Sequence, residues 1–591
     1  MFSPLLIFLI IPLVRAVWPL PQIYEPGNST LWLSPDVRFD FEGFETPSYT
    51  STFSVWDHVQ RIFSGLQTTQ AKPQKSLSLE TLQQVSIERL NRGVFQERFV
   101  PRKFHQRNSP FEPKLEDQQS KIYIDRIRIK KVSIQVGLLS QLRSTKEAYA
   151  INMEADGKVI IETASENGVL HAMETFRQLF YAHSSSSVDA YTPYAPVLIK
   201  DAPRFEHRGL NLDISRNWIP PSDVLRVIEA MSLSKLNRLH LHAADAQSWP
   251  LEIPAYPELA LKGAYDPSQI WTKTDLEIVQ GHGNLHGVEV FLEIDMPGHT
   301  TAIGHAFPGL ITAPAMDPWD FYAAEPPSGQ LRLNSSAVGD FVLGLLNDLL
   351  PRSKTWSLYF HLGGDELNRN AYGLDPTMNT TTAAAIKPHL QRFTDTNIDT
   401  LKAHGVTPIV WEEMLVDWNL TLPSNVLIQT WRSSEILGEV LKKGHRAIFG
   451  SNSHWYLDCG KGTFLNPNTT EGDAKARIKP PFLDYCAPFK NWRQVYDYNP
   501  LKDIPKKYQH QIVGGEVHLW GELTDSVNLD NMLWPRVAAA AEVLWRGPGN
   551  PVSEDVTRRL AEMRERLVLK GVKADMVQME WCLRNKGGCS L

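Results

Sequence analysis

The hexapeptide HLGGDE, His361 to Glu366, places two adjacent acids behind two glycines at the end of the apolar run WSLYF. Burial disfavours both charges unless something compensates, so a like-charged pair at the mouth of a buried strand needs a cause. Taken alone, Asp365-Glu366 reads as a solvated surface pair, with about one chance in ten of a chemical role. Its company changes that reading. Further acids, imidazoles and indoles stand at the ends of other short apolar runs: Asp213 and Arg216 in LDISR, then His240, His242 and Asp245 in HLHAADAQSW. Glu293, Asp295 and His299 follow in EIDMPGH, Trp411 precedes Glu412 and Glu413, and Trp431 ends another run. Tyr456 and Asp458 lie in SHWYLDCG, Trp520 and Glu522 in HLWGE. Indoles wall a sugar-sized pocket, while carboxylates bind hydroxyls and move protons, so the chemistry indicated is glycosidic. Cleaving a glycosidic bond takes an acid for the leaving oxygen and a group that stabilises the cationic sugar carbon, usually a separated second carboxylate. Two acids adjacent in sequence are hard to oppose across one bond. One of them is then available to hold a substrate group that itself acts as the nucleophile.

Such a set needs a frame that brings eight chain segments together. From HRGLNLDIS onward short apolar runs recur: GLNLDIS, LNRLHLH, VEVFLEID, SLYFHLGG, TPIVWEE, NVLIQTW, HRAIFGS and QIVGGEVHLW, separated by helical stretches such as SDVLRVIEAMSLSKL. Eight such pairs over roughly 310 residues predict an α/β fold, a catalytic (β/α)8 TIM barrel whose chemistry gathers at the C-terminal strand ends. Upstream, KIYIDRIRIKKVSIQV and AYAINMEADGKVIIETAS alternate as strands do. Val169, Leu170, Met173, Phe176, Leu179 and Phe180 then fall at helical spacing, which predicts a small α+β domain up to about Pro203. The expected divisions are a signal peptide (1–16), an N-terminal segment with a candidate propeptide and the start of the small domain (17–105), the α+β domain (106–203), and the barrel (204–591).

Composition narrows the class. The chain has 591 residues, 42% apolar and 21% charged, an ordinary globular mix. Sixty basic against sixty-six acidic side chains give a net charge of −6 with no Lys/Arg-rich run, so no nucleic-acid partner is expected. MFSPLLIFLIIPLVRA resembles a secretory signal cleaved after Ala16; it is too short to span a bilayer, and no membrane anchor is expected. Sequons at Asn28, Asn334, Asn379, Asn419 and Asn468 fit a glycoprotein that is secreted or held in a lysosome- or vacuole-like lumen. In an oxidising compartment the four cysteines read most simply as Cys459–Cys486 and Cys582–Cys589, since their spacings lack the C-x-x-C that zinc favours. Arg102-Lys103, in a polar and basic stretch, is a candidate processing point.

LDISR, LNRLHLHAADAQSW, EIDMPGH, HLGGDE, WYLD and LWGE resemble, in order and at fitting intervals over about residues 120–580, the motifs of the family-20 glycoside hydrolases, the β-N-acetylhexosaminidases. The layout is most similar to that of secreted fungal members. That family is a substrate-assisted exception to the two-carboxylate scheme. The resemblance implies that Glu366 is the general acid and later the base. It implies that Asp365 orients the 2-acetamido group and stabilises the oxazolinium formed when the acetamide oxygen attacks C1, and that Tyr456 bonds that oxygen. Trp411, Trp431 and Trp520 would wall the sugar site, Arg216, Asp458 and Glu522 would bind ring hydroxyls, and Asp245 and His299 would support the acid. The implied protein is an exo-acting enzyme on hexosaminide oligosaccharides that releases terminal GlcNAc or GalNAc with retention, uses no metal or other cofactor, and counts a homodimer and its own propeptide among its candidate partners. One departure concerns DLEIVQGHGNLHGVEV, where glycines predict a short or distorted helix before the third barrel strand.

His240 and His242 alternate on a strand and with Asp245 suggest zinc, but no helical H-E-x-x-H and no clear third ligand accompany them, which leaves metal at about one in twenty. Glu293 and Asp295 read as structural or supporting, Asp213 as a salt-bridge partner, and Trp534, Trp545 and RVAAAAEVLW as core. A carbohydrate-binding protein on an inert barrel has no need of a proton donor. The D-x-x-D-x-D-x-E motif of the other substrate-assisted family, the chitinases, is not found.

Overall fold

The structure, a computed structural model, describes residues 17–44, 77–115, 121–134, 136–142, 145–466 and 480–590; the expected signal segment and the sequon at Asn468 lie outside the described residues. The N-terminal layer is a six-stranded sheet of β1 (Ile23–Glu42), β2 (Tyr123–Lys131), β3 (Tyr149–Met153), β4 (Val159–Thr163), β5 (Tyr181–Ala182) and β6 (Ala190–Asp201). Its order is β1-β2-β4-β3-β6-β5. Ile124, Ile127 and Ile129 from β2 are buried with Ile151 and Ile161 from its neighbours, and the helix Glu166–Gln178 closes over them, started by the Ser165 side chain accepting from the Gly168 N–H. β1 runs parallel to β2 and antiparallel to β6, so the layer reaches upstream of residue 106 into the 17–105 segment. Arg102-Lys103 lies in a short 3₁₀ turn where Lys103 pairs with Glu565 at 2.8 Å and Phe104 is buried.

The second layer starts with β7 (His207–Asp213), β8 (Arg238–His242) and β9 (Glu289–Glu293). A two-stranded ribbon of β10 (Ile311–Thr312) and β11 (Gln330–Leu331) intervenes. Then follow β12 (Tyr359–His361), β13 (Thr407–Trp411), β14 (Leu427–Thr430), β15 (Arg446–Phe449) and β16 (Ile512–Leu519). The eight longer-range strands pair in parallel and close on themselves, β16 meeting β7 from Gly514–His207 to Leu519–Leu212. The eight apolar runs of the sequence are these eight strands, and a (β/α)8 barrel preceded by a small α+β layer is the architecture. RVAAAAEVLW forms the buried helix Arg536–Arg546, and Trp534 and Trp545 are both fully buried.

The two layers meet around Asp201 at the end of β6. Its carboxylate accepts from Tyr149 Oη (2.6 Å), Lys235 Nζ (3.1 Å) and Trp545 Nε1 (2.9 Å). Arg208, one residue into β7, reaches back to Glu147 at 2.6 Å. A polar junction of this kind is satisfied in one orientation only, so it fixes the sheet against the barrel.

One sequence expectation is corrected. The helix before β9 is neither short nor distorted: it runs unbroken over Lys273–Leu285 and opens with a capping box between Thr272 and Asp275. Gly283 is a packing requirement, because a Cβ there would lie 2.5 Å from the Val288 carbonyl oxygen and 2.7 Å from Val290 Cγ2. Alanine is the better helix former by about 1 kcal/mol, but overpacking against backbone costs about 1–3 kcal/mol. Gly283→Ala is therefore expected to lower Tm. Gly339→Ala, at an exposed position of the helix Ser336–Ser353 with nothing within 4 Å of the new methyl group, is expected to raise it. Thermal unfolding of the two variants checks both signs.

Candidate active site

After His361 the chain leaves β12 through Gly363 (φ 69°) and Gly364 (φ 103°). A Cβ on Gly363 would sit 1.8 Å from Asp295 Oδ1, so only glycine lets this turn press against Asp295, whose Oδ1 accepts the Gly364 N–H at 2.7 Å. Glu366 and His299 both hold positive φ, 52° and 49°, a strained conformation for residues with side chains. The turn separates the two acids. Asp365 faces inward, where its carboxyl, that of Asp295 and the His299 ring lie within 4.8 Å of one another. Glu366 faces out, its side chain 36% exposed, with Oε2 3.5 Å from His299 Nε2.

Electrostatics divide the acids further. Burial, and then the Asp295 carboxylate, push Asp365 well above the usual carboxylate range, and His299 offsets only part of this. Its Oδ1 is buried without a hydrogen-bond partner. Burial opposes charge on His299, but Asp245 and Asp295 hold it well above an ordinary histidine, as an imidazolium. Asp245 is itself disfavoured by burial and is kept ionised by Arg216 and His299, its carboxylate taking Arg216 Nη2 at 2.9 Å, His242 Nε2 at 2.7 Å and His299 Nδ1 at 3.1 Å. Arg216 also meets Asp213 (3.2 Å) and Glu325 (2.6 Å).

These groups line a cavity of about 520 Å³, within the range of ligand pockets. Arg216, His299, Asp365, Glu366, Trp431, Tyr456, Trp520 and Glu522 all border it. Trp431 stacks on Tyr456 (centroids 6.0 Å apart), and Trp520 stands at 6.1 Å from the same ring. The Trp431 indole donates to Glu413 at 2.8 Å. Burial, with Tyr485 and Asp365 nearby, keeps the Tyr456 hydroxyl protonated far above its ordinary value.

Two expected contacts are placed differently. Trp411 is 1% exposed and does not border the cavity; its indole donates to Glu293 at 2.7 Å and its ring packs against His361 and Trp520, so it backs the wall from below. Asp458 does not border the cavity either. Its carboxylate accepts the Trp520 N–H at 3.4 Å, and burial lifts it to about 7. Residues that the sequence left aside enter instead. Asp295 sits against Asp365, its signal being the strand-end position two residues after Glu293. Glu325, on the connection between β10 and β11, binds Arg216, and its loop APAMDPWDFYAAEPPSG carries no periodicity that could have pointed to it. Trp319 and Tyr485 add aromatic surface at the mouth.

The nitrogens that suggested zinc are engaged by acids: His240 Nδ1 with Glu516 (3.0 Å), His242 with Glu293 and Asp245 (2.7 Å each). Cys459 is bonded to Cys486 and Cys582 to Cys589. Asn28, Asn334, Asn379 and Asn419 are exposed.

The raised Asp365 is also a stability statement. Below the unfolded value, about pH 4, the group is protonated in both states. As pH rises past that value the unfolded chain releases a proton that the folded chain retains, so the group's stability contribution is lost through the window up to the raised folded pKa. Asp365→Asn removes the titration and can donate to Asp295. It is expected to raise Tm at pH 7, with the gain shrinking toward pH 4; a Tm loss at pH 7 contradicts the assignment.

Comparison with known proteins agrees with this geometry. The family described as "Glycosyl hydrolase family 20, catalytic domain" matches residues 205–548, and "beta-acetyl hexosaminidase like" matches residues 17–179. A curated relative named beta-hexosaminidase, from Arthroderma benhamiae, is 48% identical, covering 98% of either chain. A chitooligosaccharidolytic beta-N-acetylglucosaminidase of Bombyx mori is 32% identical over 77% of this chain and 78% of its own. In fold, the chain is similar to the crystal structure of a GH20 exo beta-N-acetylglucosaminidase from Vibrio harveyi in complex with N-acetylglucosamine: TM-score 0.71 at 18% identity, covering 96% of this chain and 79% of that one. The chain belongs to glycosyl hydrolase family 20.

Proposed function

We propose that the chain is an exo-β-N-acetylhexosaminidase that removes terminal non-reducing GlcNAc or GalNAc from chitooligosaccharides or glycoconjugates with retention, the substrate's acetamide serving as nucleophile. The observation that carries this reading is the divergence of two neighbouring acids, Asp365 into a buried acid–imidazolium cluster and Glu366 into the open cavity beside His299. Glu366 protonates the glycosidic oxygen while the acetamide carbonyl oxygen attacks C1. The C1–O bond breaks and an oxazolinium ring closes. Asp365 orients the acetamide N–H and, its proton passing to the adjacent Asp295 carboxylate, balances the positive charge that develops there, and the Tyr456 hydroxyl donates to the acetamide oxygen. The leaving group departs, and Glu366, now a carboxylate beside the His299 imidazolium, takes a proton from water. That water opens the ring at C1 and restores the acetamide. Two inversions give net retention.

The names of the relatives support a hexosaminide substrate, since one is a beta-hexosaminidase and another is chitooligosaccharidolytic. The apolar segment 1–16, the exposed sequons and the two disulfides support export to an oxidising compartment. Glu366→Gln is expected to lower kcat on an aryl β-N-acetylglucosaminide by about 10²–10⁴-fold, the usual scale of general acid–base catalysis; turnover equal to that of the unaltered enzyme removes the assignment. A thiazoline mimic of the oxazolinium is expected to inhibit competitively, and indifference to it would count against acetamide assistance.

A further inference from the structure

We propose that Glu293 and Glu516, two carboxylates inside the barrel that do not border the cavity of about 520 Å³, are positioning residues for Glu366. The proposal rests on the reading of Glu366 as the general acid.

A barrel interior is ordinarily filled by layers of branched apolar side chains. Here an apolar cluster is formed by Phe291, Ile409, Leu427, Ile448 and Val513. Beside it, imidazoles and carboxylates alternate, joined as far as His299 by hydrogen bonds except at His240 Nε2–Glu293, which is an ion-pair contact only. His207 Nε2 meets Glu516 Oε1 at 2.6 Å, and Glu516 Oε2 meets His240 Nδ1 at 3.0 Å. His240 Nε2 is 3.0 Å from Glu293 Oε2, which takes His242 Nδ1 at 2.7 Å. His242 Nε2 meets Asp245 at 2.7 Å, and Asp245 meets His299 at 3.1 Å. The file ends at Glu366. From His207 to Asp245 no side chain exceeds 4% exposure.

The charges along the file alternate as well. Burial alone would strip His240 and His242 of their protons, but Glu516 and Glu293 raise His240 to about 9, and Glu293 with Asp245 raises His242 to about 10. Against the same burial, the imidazoles hold Glu293 and Glu516 well below the carboxylate range. Burial keeps His207 low, so the file terminates in a neutral ring. From His240 to His299 each ionised group faces an opposite charge on both sides, while Glu516 faces the His240 imidazolium on one side and the neutral His207 ring on the other; in this water-excluded interior, turning one ring strands its neighbours. The orientation of His299 toward Glu366 is thus set from the barrel interior and not from Asp245 alone. Buried ion pairs are a poor source of stability compared with apolar filling, so a file of this length in place of apolar layers points to orientation.

Glu293 additionally receives Trp411 and His361, so Glu516, which among the described residues meets His207, His240 and Gln429, is the cleaner probe. The experiment compares kcat/KM of Glu516→Gln on chitobiose, whose leaving group needs a proton, with that on 2,4-dinitrophenyl β-N-acetylglucosaminide, whose leaving group does not. The expected result is a loss of about tenfold or more on chitobiose, the scale seen for supporting-shell substitutions, with little change on the dinitrophenyl substrate. In a Glu366→Gln background the same substitution should add no further selectivity. An equal loss on both substrates means a merely structural role and overturns the proposal, as does no loss on either. If the variant does not fold, His240→Gln, one link nearer the acid, carries the same expectation. Glu366→Gln is the control that separates the two readings. If it shows no leaving-group selectivity the acid assignment fails, whereas if it does and the interior variants do not, only the positioning role falls.

Discussion

Two carboxyl groups packed together away from water cannot both be ionised, and the site is arranged around that constraint. Asp295 and Asp365 are brought together by a turn that only Gly363 and Gly364 allow. Their proximity requires a cation, supplied by His299, and the His299 imidazolium requires an anion behind it, supplied by Asp245. Asp245 in turn is held ionised by Arg216, which also gathers Asp213 and Glu325. Each charge is explained by its neighbour. The outcome at the cavity is two acids of unlike character from one dipeptide: Asp365 held back from ionising, Glu366 exposed beside a fixed positive ring.

Much of this was legible in the sequence because it is local. Strand periodicity located all eight barrel strands, and the functional side chains sit within a few residues of the strand ends, where a barrel concentrates chemistry. Depth was not legible. Trp411 ends its strand as Trp431 and Trp520 nearly do, yet its indole is drawn under the wall by Glu293, a partner 118 residues away. Asp458 carries the right spacing from Tyr456 but turns to the Trp520 backbone. Glu325 was invisible because its role comes from the loop after β10 folding over Arg216, which no period encodes. Gly283 misled for the opposite reason: a residue that weakens an isolated helix is the one that lets this helix lie against β9. β1, inside the segment expected to start the small domain, joins it through a pairing with β6 that spans well over a hundred residues.

The small layer contributes to the site only through rigidity. Among its contacts with the barrel, one lies beside the opening of β7, where Arg208 and Lys235 reach Glu147 and Asp201. β7 leads directly to Asp213 and Arg216 at its other end. A buried polar junction at the foot of that strand leaves little freedom to the arginine at its head, so the α+β layer acts as an anchor for a residue it never approaches.

The closure of β16 onto β7 has a consequence in time. Arg216 lies early in the barrel and Trp520 and Glu522 at its last strand, so the pocket exists only when both ends of the barrel have been made. A ribosome adding about 5–20 residues per second needs on the order of tens of seconds between them. For the second half of that interval, once residue 366 has been added, the nascent chain carries Asp365 and Glu366 but has no enclosed sugar site. Biosynthesis therefore delivers the reagents first and the vessel last, and the enzyme stays silent until its chain is nearly complete.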